Sequence, residues 1–167
     1  MNQLKITAVS SKEDLAVIGK LAEKIWKEYY TSLLGEAQVA YMLKNIQSPA
    51  AMEQQIREDG YCYYLLSLDG QPAGYMATQC GEDNRLFLRK LYLFKEQRGK
   101  HVASQAFDFL EDFCRERGIS KIWLTVNKGN SHAKDVYLVR GFTTIAQQEA
   151  DIGSGFVMDD YIMEKTL

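Results

Sequence analysis

Proline is scarce in this chain, two in 167 residues, and cysteine nearly as scarce, at Cys62, Cys80 and Cys114. Two prolines beside 12 glycines exclude a collagen-like or proline-rich chain. The three cysteines are odd in number, widely spaced and without a Cys-x-x-Cys pair. That pattern fits neither a disulfide framework nor a zinc knot, so no metal is expected, and the thiols read as free and buried or half-buried. No apolar run approaches the roughly 18 residues a transmembrane helix needs. The start, Met1-Asn2-Gln3-Leu4-Lys5, lacks a hydrophobic signal region. A cytoplasmic protein with no membrane partner is expected. An excess of positive charge is missing too: 20 basic and 22 acidic side chains give a net −2, which argues against a nucleic-acid partner.

What remains is an ordinary globular composition, 46% apolar and 25% charged, in a length that fits one domain over residues 1–167. The chain divides by periodicity. Residues 1–60 carry a short strand over Lys5–Val9, then three helices. The first begins near Glu13 behind a Ser10 or Ser11 cap, with Leu15, Ile18, Leu21, Ile25 and Trp26 on one face. The second covers about Glu36 to Gln47, and the third Ala50 to Arg57 behind Pro49. Residues 61–167 open with three strands in a meander: Tyr61–Leu66, Ala73–Gln79 after the Asp69-Gly70 turn, and Leu86–Leu93 after Glu82-Asp83-Asn84. A helix with an Ala103, Ala106, Phe107, Leu110, Phe113, Cys114 stripe follows and stops at Gly118. Then come a strand over Ile119–Val126, a helix over Ser131–Arg140 ended by Gly141, and strands over Phe142–Glu149 and Phe156–Lys165. The crossover helix makes its flanking strands parallel neighbours, so the class is α+β, a mixed, mostly antiparallel sheet of about seven strands with one parallel pair.

Two segments carry chemistry. Gln97-Arg98-Gly99-Lys100-His101-Val102-Ala103 joins a strand to a helix. A basic, glycine-containing turn at a helix start offers free N–H groups and a favourable dipole to an anion. It is not a Walker A loop: Phe94 stands where the first glycine belongs, and His101 where Ser or Thr would hold magnesium. The second segment runs from Asn127 to Tyr137. Asn130 and Tyr137 are seven residues apart, about 20° short of two turns, so they share a helix face with the small Ala133 between them. A polar residue, a small one and a phenol on one face can line a narrow slot.

Together these segments resemble the GNAT superfamily of N-acetyltransferases over about the last 110 residues. Arg98-Gly99-Lys100-His101-Val102-Ala103 is similar to its phosphate loop, with His101 in place of the usual central glycine. Asn130-x-x-Ala133-x-x-x-Tyr137-x-x-x-Gly141-Phe142 is similar to its Asn–Ala–Tyr–Gly-Phe helix. The resemblance implies acetyl coenzyme A as cosubstrate, bound between a splayed parallel strand pair. Leu91, Tyr92 and Leu93 would form one edge and Asn127 the splay point on the other, with the pyrophosphate on the Gly99–Ala103 turn and Asn130 and Ala133 beside it. A backbone N–H near Leu91 is the expected oxyanion donor and Tyr137 the expected general acid toward the leaving thiolate. Residues 1–60 would supply the acceptor side. Glu28, Tyr29 and Tyr30, placed after the first helix, and Asp159 and Asp160 near the last strand are candidates for acceptor binding or for the base, beside a water relay. The acceptor is a small-molecule amine, polyamines being favoured, or a peptide; a homodimer is admissible. The competing class is a non-catalytic acyl-coenzyme-A sensor. His132 reads as an exposed first-turn residue, Trp26 as core, and Glu149, Asp151, Asp159 and Asp160 together as an acidic C-terminal region that is more often a solvated face than a polyamine sink.

Overall fold

A computed structural model of the chain describes residues 3–81 and 83–167. Met1 and Asn2 of the start and Glu82 of the expected turn lie outside the described residues. One seven-stranded sheet has the order β1-β2-β3-β4-β5-β7-β6, comprising β1 (Leu4–Val9), β2 (Tyr61–Leu68), β3 (Gln71–Cys80), β4 (Arg85–Leu93), β5 (Lys121–Asn127), β6 (Thr143–Gly153) and β7 (Phe156–Thr166). Every neighbouring pair is antiparallel except β4 and β5. That is the expected α+β sheet. The helices are α1 (Lys12–Leu34), α2 (Glu36–Asn45), α3 (Pro49–Glu58), α4 (Val102–Glu116) and α5 (Ser131–Val139), with a 3-10 turn over Lys95–Gln97.

Local chemistry sets the bounds. Ser11, not Ser10, caps α1 by accepting from the Asp14 N–H at 3.2 Å, and Ser48 caps α3 with Pro49 in its first turn. Gly35, at φ 85°, ends α1. This helix runs further than expected, so Glu28, Tyr29 and Tyr30 lie within it rather than after it. The sequence signal was the apolar face ending at Trp26; Tyr30 continues that face one turn later and is buried.

Two cores sit on opposite faces of the sheet. α4 covers one through Ala106, Phe107, Leu110 and Cys114, against Leu86, Leu88, Ile122, Leu124 and Met163. α1, α2 and α3 cover the other through Leu15, Ile18, Ile25, Trp26, Val39 and Met52, against Tyr63, Tyr75 and Ala77. Burying one large apolar side chain contributes about 1.5–3 kcal/mol, so each layer is held chiefly by its apolar stripe. Cys114 is buried as expected; Cys62 and Cys80 are free but exposed, both lying near strand ends. Among the described residues no helix is long and apolar enough to cross a membrane.

Candidate active site

The parallel pair β4–β5 is short. It runs from Arg85 opposite Lys121 to Leu88 opposite Leu124 and stops there. Beyond that point Lys90–Leu93 pair only with β3, and Thr125–Asn127 only with β7. The break coincides with a bulge: Ala77 faces Lys90 while Thr78 faces Leu88, leaving Arg89 as the extra residue. A bulge kinks its strand, and here it also shifts the alternation by one. Leu86 and Leu88 before it, and Leu91 and Leu93 after it, all face the α4 core. The strands therefore separate right after Leu124, earlier than Asn127, which was the expected splay point. Asn127 is instead paired with Asp160 across β5–β7, and its side chain accepts from the Gly129 N–H at 2.8 Å.

The separation leaves two connected hollows. The larger, about 250 Å³, is lined by Leu91, Leu93, Arg98, Gly99, His101, Val102, Ala103, Ala133 and Tyr137, with Tyr29 at one wall. One end of it is the turn before α4. Gly99 and His101 both have left-handed backbones, φ 78° and 62°, and no side chain caps α4. The first-turn N–H groups of α4 thus lack a side-chain acceptor and open onto the hollow. His101 stands where the backbone turns left-handed, a conformation that favours glycine. Arg98 lies over the Tyr29 ring, its guanidinium 4.4 Å from the centroid, and so bridges the turn to α1. Lys100 does not reach the hollow; it is exposed and bonds Gln97 Oε1 at 3.3 Å. His132 is exposed, as expected, and touches the rim.

The smaller hollow, about 70 Å³, lies in the gap between the two strands. Tyr29, Tyr30, Arg89, Tyr92, Asn130, Ala133, Tyr137, Met158 and Asp160 line it. Asn130, Ala133 and Tyr137 thus do share one face, although Asn130 also caps α5 by accepting from the Ala133 N–H at 3.3 Å. Tyr137 packs edge-on against Phe107 of α4 and beside Phe142, which follows Gly141 and is buried. Tyr92, expected on the cofactor edge, turns the opposite way from Leu91 and Leu93: it packs with the α1 core, and its hydroxyl meets that of Tyr30 at 2.9 Å.

The acidic candidates separate cleanly. Successive residues of a strand point to opposite faces. Asp160 is 6% exposed in the smaller hollow, and its Oδ1 has no hydrogen-bond partner. Asp159 faces the other side and pairs with Lys128 at 2.9 Å. Glu28 is exposed on α1 and lines neither hollow. Burial, and then the Asp159 charge, push the Asp160 carboxyl up to about 6. Burial, and then the neighbouring phenols of Tyr92 and Tyr29, push the Tyr137 phenol well above its ordinary value. Sequence reasoning missed Lys90. It is 7% exposed, and its ammonium bonds Tyr63 Oη at 2.5 Å and Gln55 Oε1 at 3.2 Å. Burial, and then the Arg89 charge, push Lys90 down to about 7. No residue spacing gave this away, because the bulge that turns Lys90 inward is a tertiary feature.

The profile of the acetyltransferase (GNAT) family matches residues 21–142. The chain belongs to that family. It is an acetyl-coenzyme-A-dependent N-acetyltransferase. It is 26% identical over 174 residues to an "uncharacterized N-acetyltransferase in pepI 3'region" of Lactobacillus delbrueckii subsp. lactis, covering 100% of this chain and 99% of that protein. It is also 26% identical over 138 residues to N-acetyltransferase 8B of Mus musculus, of which it spans 55%. Among solved structures, the PaiA N-acetyltransferase of Thermoplasma acidophilum in complex with coenzyme A superposes with a TM-score of 0.81 at 22% identity, over 99% of each chain. A spermidine N-acetyltransferase SpeG chimera from Vibrio cholerae and hSSAT superposes with a TM-score of 0.72 at 17% identity, over 98% of this chain and 95% of that one.

Proposed function

We propose that the larger hollow takes the pantetheine and pyrophosphate of acetyl coenzyme A, and that the smaller one takes the acceptor amine, with Tyr137 as general acid and Asp160 as the base. The observation that carries this reading is the divergence of β4 from β5 beside an uncapped α4 N-terminus. An extended amide-bearing arm can complete the unpaired edge at Leu91 and Leu93 as an added strand does. Its phosphates fit the N–H groups of Val102, Ala103 and Ser104, with Arg98 as the mobile cation. Gly99 has no neighbour within 4 Å of an added Cβ, so the turn is open on that side.

When bound, acetyl coenzyme A supplies an electrophilic thioester carbonyl. The chain's residues manage protons around it. Asp160, ionised above pH about 6, takes a proton from the incoming ammonium and frees the nitrogen lone pair. The new N–C bond forms as the C–S bond breaks, and the nitrogen sheds its second proton. Tyr137 gives its proton to the sulfur and regains the one the nitrogen sheds, so one proton reaches solvent per turnover. Its raised pKa keeps the phenol protonated at any working pH. The leaving thiolate feels the same desolvation, which keeps the transfer within reach. The proton transfers themselves suit any primary amine, of a small molecule, a polyamine or a peptide; the spermidine enzyme among the structural neighbours shares the fold at 17% identity.

The test is thiol release from acetyl coenzyme A across an amine panel, with coenzyme A binding measured by calorimetry. Tyr137→Phe should lower kcat at least tenfold and leave coenzyme A affinity within a few-fold, because the phenol acts mainly in the transition state. Unchanged kcat returns Tyr137 to core packing against Phe107. Binding without thiol release for any amine is the behaviour of a sensor and would sink the proposed chemistry.

A further inference from the structure

Besides the tyrosines, three ionisable side chains line the smaller hollow, Asp160, Arg89 and Lys90, and among the described residues none of them forms an ion pair. Asp160 is buried, with an unpartnered Oδ1 at the inner wall. The bulge residue Arg89 lines both this hollow and a shelf beside it. Arg89 is exposed to solvent, and its guanidinium is clamped from one side. Its Nε and Nη2 both donate to Gln79 Oε1, at 3.0 and 2.7 Å, and its plane lies 3.9 Å over the Phe87 ring. Gln79 is neutral, so that clamp fixes the guanidinium without cancelling its charge. Among the described residues no carboxylate lies within ion-pair distance of it, whereas the neighbouring Arg85 is matched by Asp83 at 2.6 Å and Glu164 at 3.0 Å. Lys90, next in sequence, also bonds only neutral partners, Tyr63 and Gln55, but its ammonium is turned inward onto them and burial lowers it to about 7, so Arg89 is the lasting positive charge open to a ligand.

Resting on the reading of this hollow as the acceptor end, we propose that the acceptor is an amine that also bears an anionic group, its ammonium delivered to Asp160 and its anion held by the Arg89 guanidinium. Asp160 lies on β7 opposite Asn127, and Arg89 lies where β4 leaves β5, level with Leu124 and Thr125. The two backbones are therefore offset by two to three residues along the strands, roughly 7–10 Å, and by two strand positions across the sheet, roughly 10 Å more, a span that the Arg89 side chain and the acceptor bridge together. A planar guanidinium fixed by two of its donors presents the remaining ones as a fork, which suits a carboxylate. A polyamine needs a second carboxylate for its distal ammonium. Asp159 is on the other face of the sheet and Glu28 is outside, so the hollow offers a distal cation an arginine instead. Like charges there disfavour a polyamine as actively as opposite charges favour an amino acid or its homologues.

The experiment measures kcat/KM for glycine, 4-aminobutanoate and 6-aminohexanoate against ethylamine, butylamine, hexylamine and spermidine, in wild type, Arg89→Gln and Arg89→Lys. The expected result is a preference of at least tenfold for one aminocarboxylate over the alkylamine of equal length. Arg89→Gln should shrink that ratio to within about threefold, and Arg89→Lys should keep some of it. The ratio is the readout because a general loss of folding lowers both members of a pair together. Alkylamines or spermidine used as well as the aminocarboxylates overturn the proposal and leave the acetyltransfer site standing. A preference that survives Arg89→Gln overturns the role of Arg89. No thiol release with any amine, alongside normal coenzyme A binding, overturns the assignment of the hollow and this proposal with it.

Discussion

Asp160 has a cost that its environment makes measurable. Its carboxyl is pushed up to about 6, so the folded state binds a proton that the unfolded state releases between about pH 4 and 6. Stability contributed by this group therefore falls as pH rises through that window, and the full cost is present above pH 6. Asp160→Asn removes the charge and should stabilise the fold at pH 8 by on the order of 2 kcal/mol, with the gain vanishing near pH 4. The same variant should lose most of its turnover at pH 8. A destabilised Asp160→Asn at pH 8 would mean that the carboxylate is satisfied after all. Lys90 has the same kind of cost on the basic side. Burial lowers its folded value to about 7, so its charged form costs most below pH 7 and the cost is relieved as pH climbs toward 10. Lys90→Met should stabilise by about 1–3 kcal/mol at pH 6, since a buried charge exchanged for a well-packed apolar chain is often favourable, and by less at pH 9. Equal gains at both pH values would show that Lys90 is not the titrating group. His101 is the third telling residue. Its φ of 62° is tolerated by a histidine but strained for a β-branched side chain. His101→Val should cost about 1–2 kcal/mol and weaken coenzyme A binding, while His101→Gly should do neither.

At the scale of elements, much was legible. Strands β2 to β4 announced themselves through β-forming residues and the Asp69-Gly70 turn, and α4 through its apolar stripe ending at Gly118. The Asn130–Tyr137 face was legible because seven residues nearly close two helical turns. The divergence of β4 from β5 was expected only through the family resemblance, and its place was misjudged at Asn127, since it is set by a register shift at Ala77/Thr78 that no local propensity encodes. Tyr92 belongs to the same lesson: strict alternation turns it to the α1 side of the sheet and into the smaller hollow, while Leu91 and Leu93 face α4 and the larger one. Asp159 and Asp160 look equivalent in sequence, and only the pairing of β7 with β5 separates them. Close approach of β3 and β4 adds a further dependence. A Cβ on Gly74 would overlap the Tyr92 carbonyl and press on Leu93. Gly74→Ala should therefore displace the very edge that the pantetheine arm completes. We expect it to destabilise the fold by roughly 1–3 kcal/mol and to weaken coenzyme A binding more than Asn130→Ala, whose lost cap costs about 1 kcal/mol. Circular dichroism melts and calorimetry on the two variants check the order.

Across the whole molecule, the gap divides the sheet into two halves, β1 to β4 and β5 to β7. Helices α1 to α3 lie chiefly over β2 and β3, while α4 packs across both halves on the other face. Among the described strand residues, only the short stretch from Arg85 to Leu88 pairs the halves, and Arg98 of the turn lies over Tyr29 of α1. A cosubstrate lying in the gap replaces the missing strand pairing, so its binding should tie the halves together. Linkage gives about 2.7 kcal/mol of stabilisation at a ligand concentration 100 times its Kd. For a domain of this size that is a Tm increase of roughly 5–10 °C. The location of the effect is the sharper test. In hydrogen exchange with saturating coenzyme A, the amides of Leu91 and Leu93 on the open edge and of Val102, Ala103 and Ser104 at the uncapped helix start should slow most. Those of β1 and β2, which are already paired and lie far from the gap, should change only by the global increase in stability. Arg98→Ala should shrink the protection at the α4 start and flatten the salt dependence of binding, because a charge-assisted phosphate contact is screened by ions. Protection confined to the α4 start, with the Leu91–Leu93 edge exchanging as before, would place the phosphates on the turn but the arm outside the gap. The strand-completion account of binding would then fail, although the anion site remained.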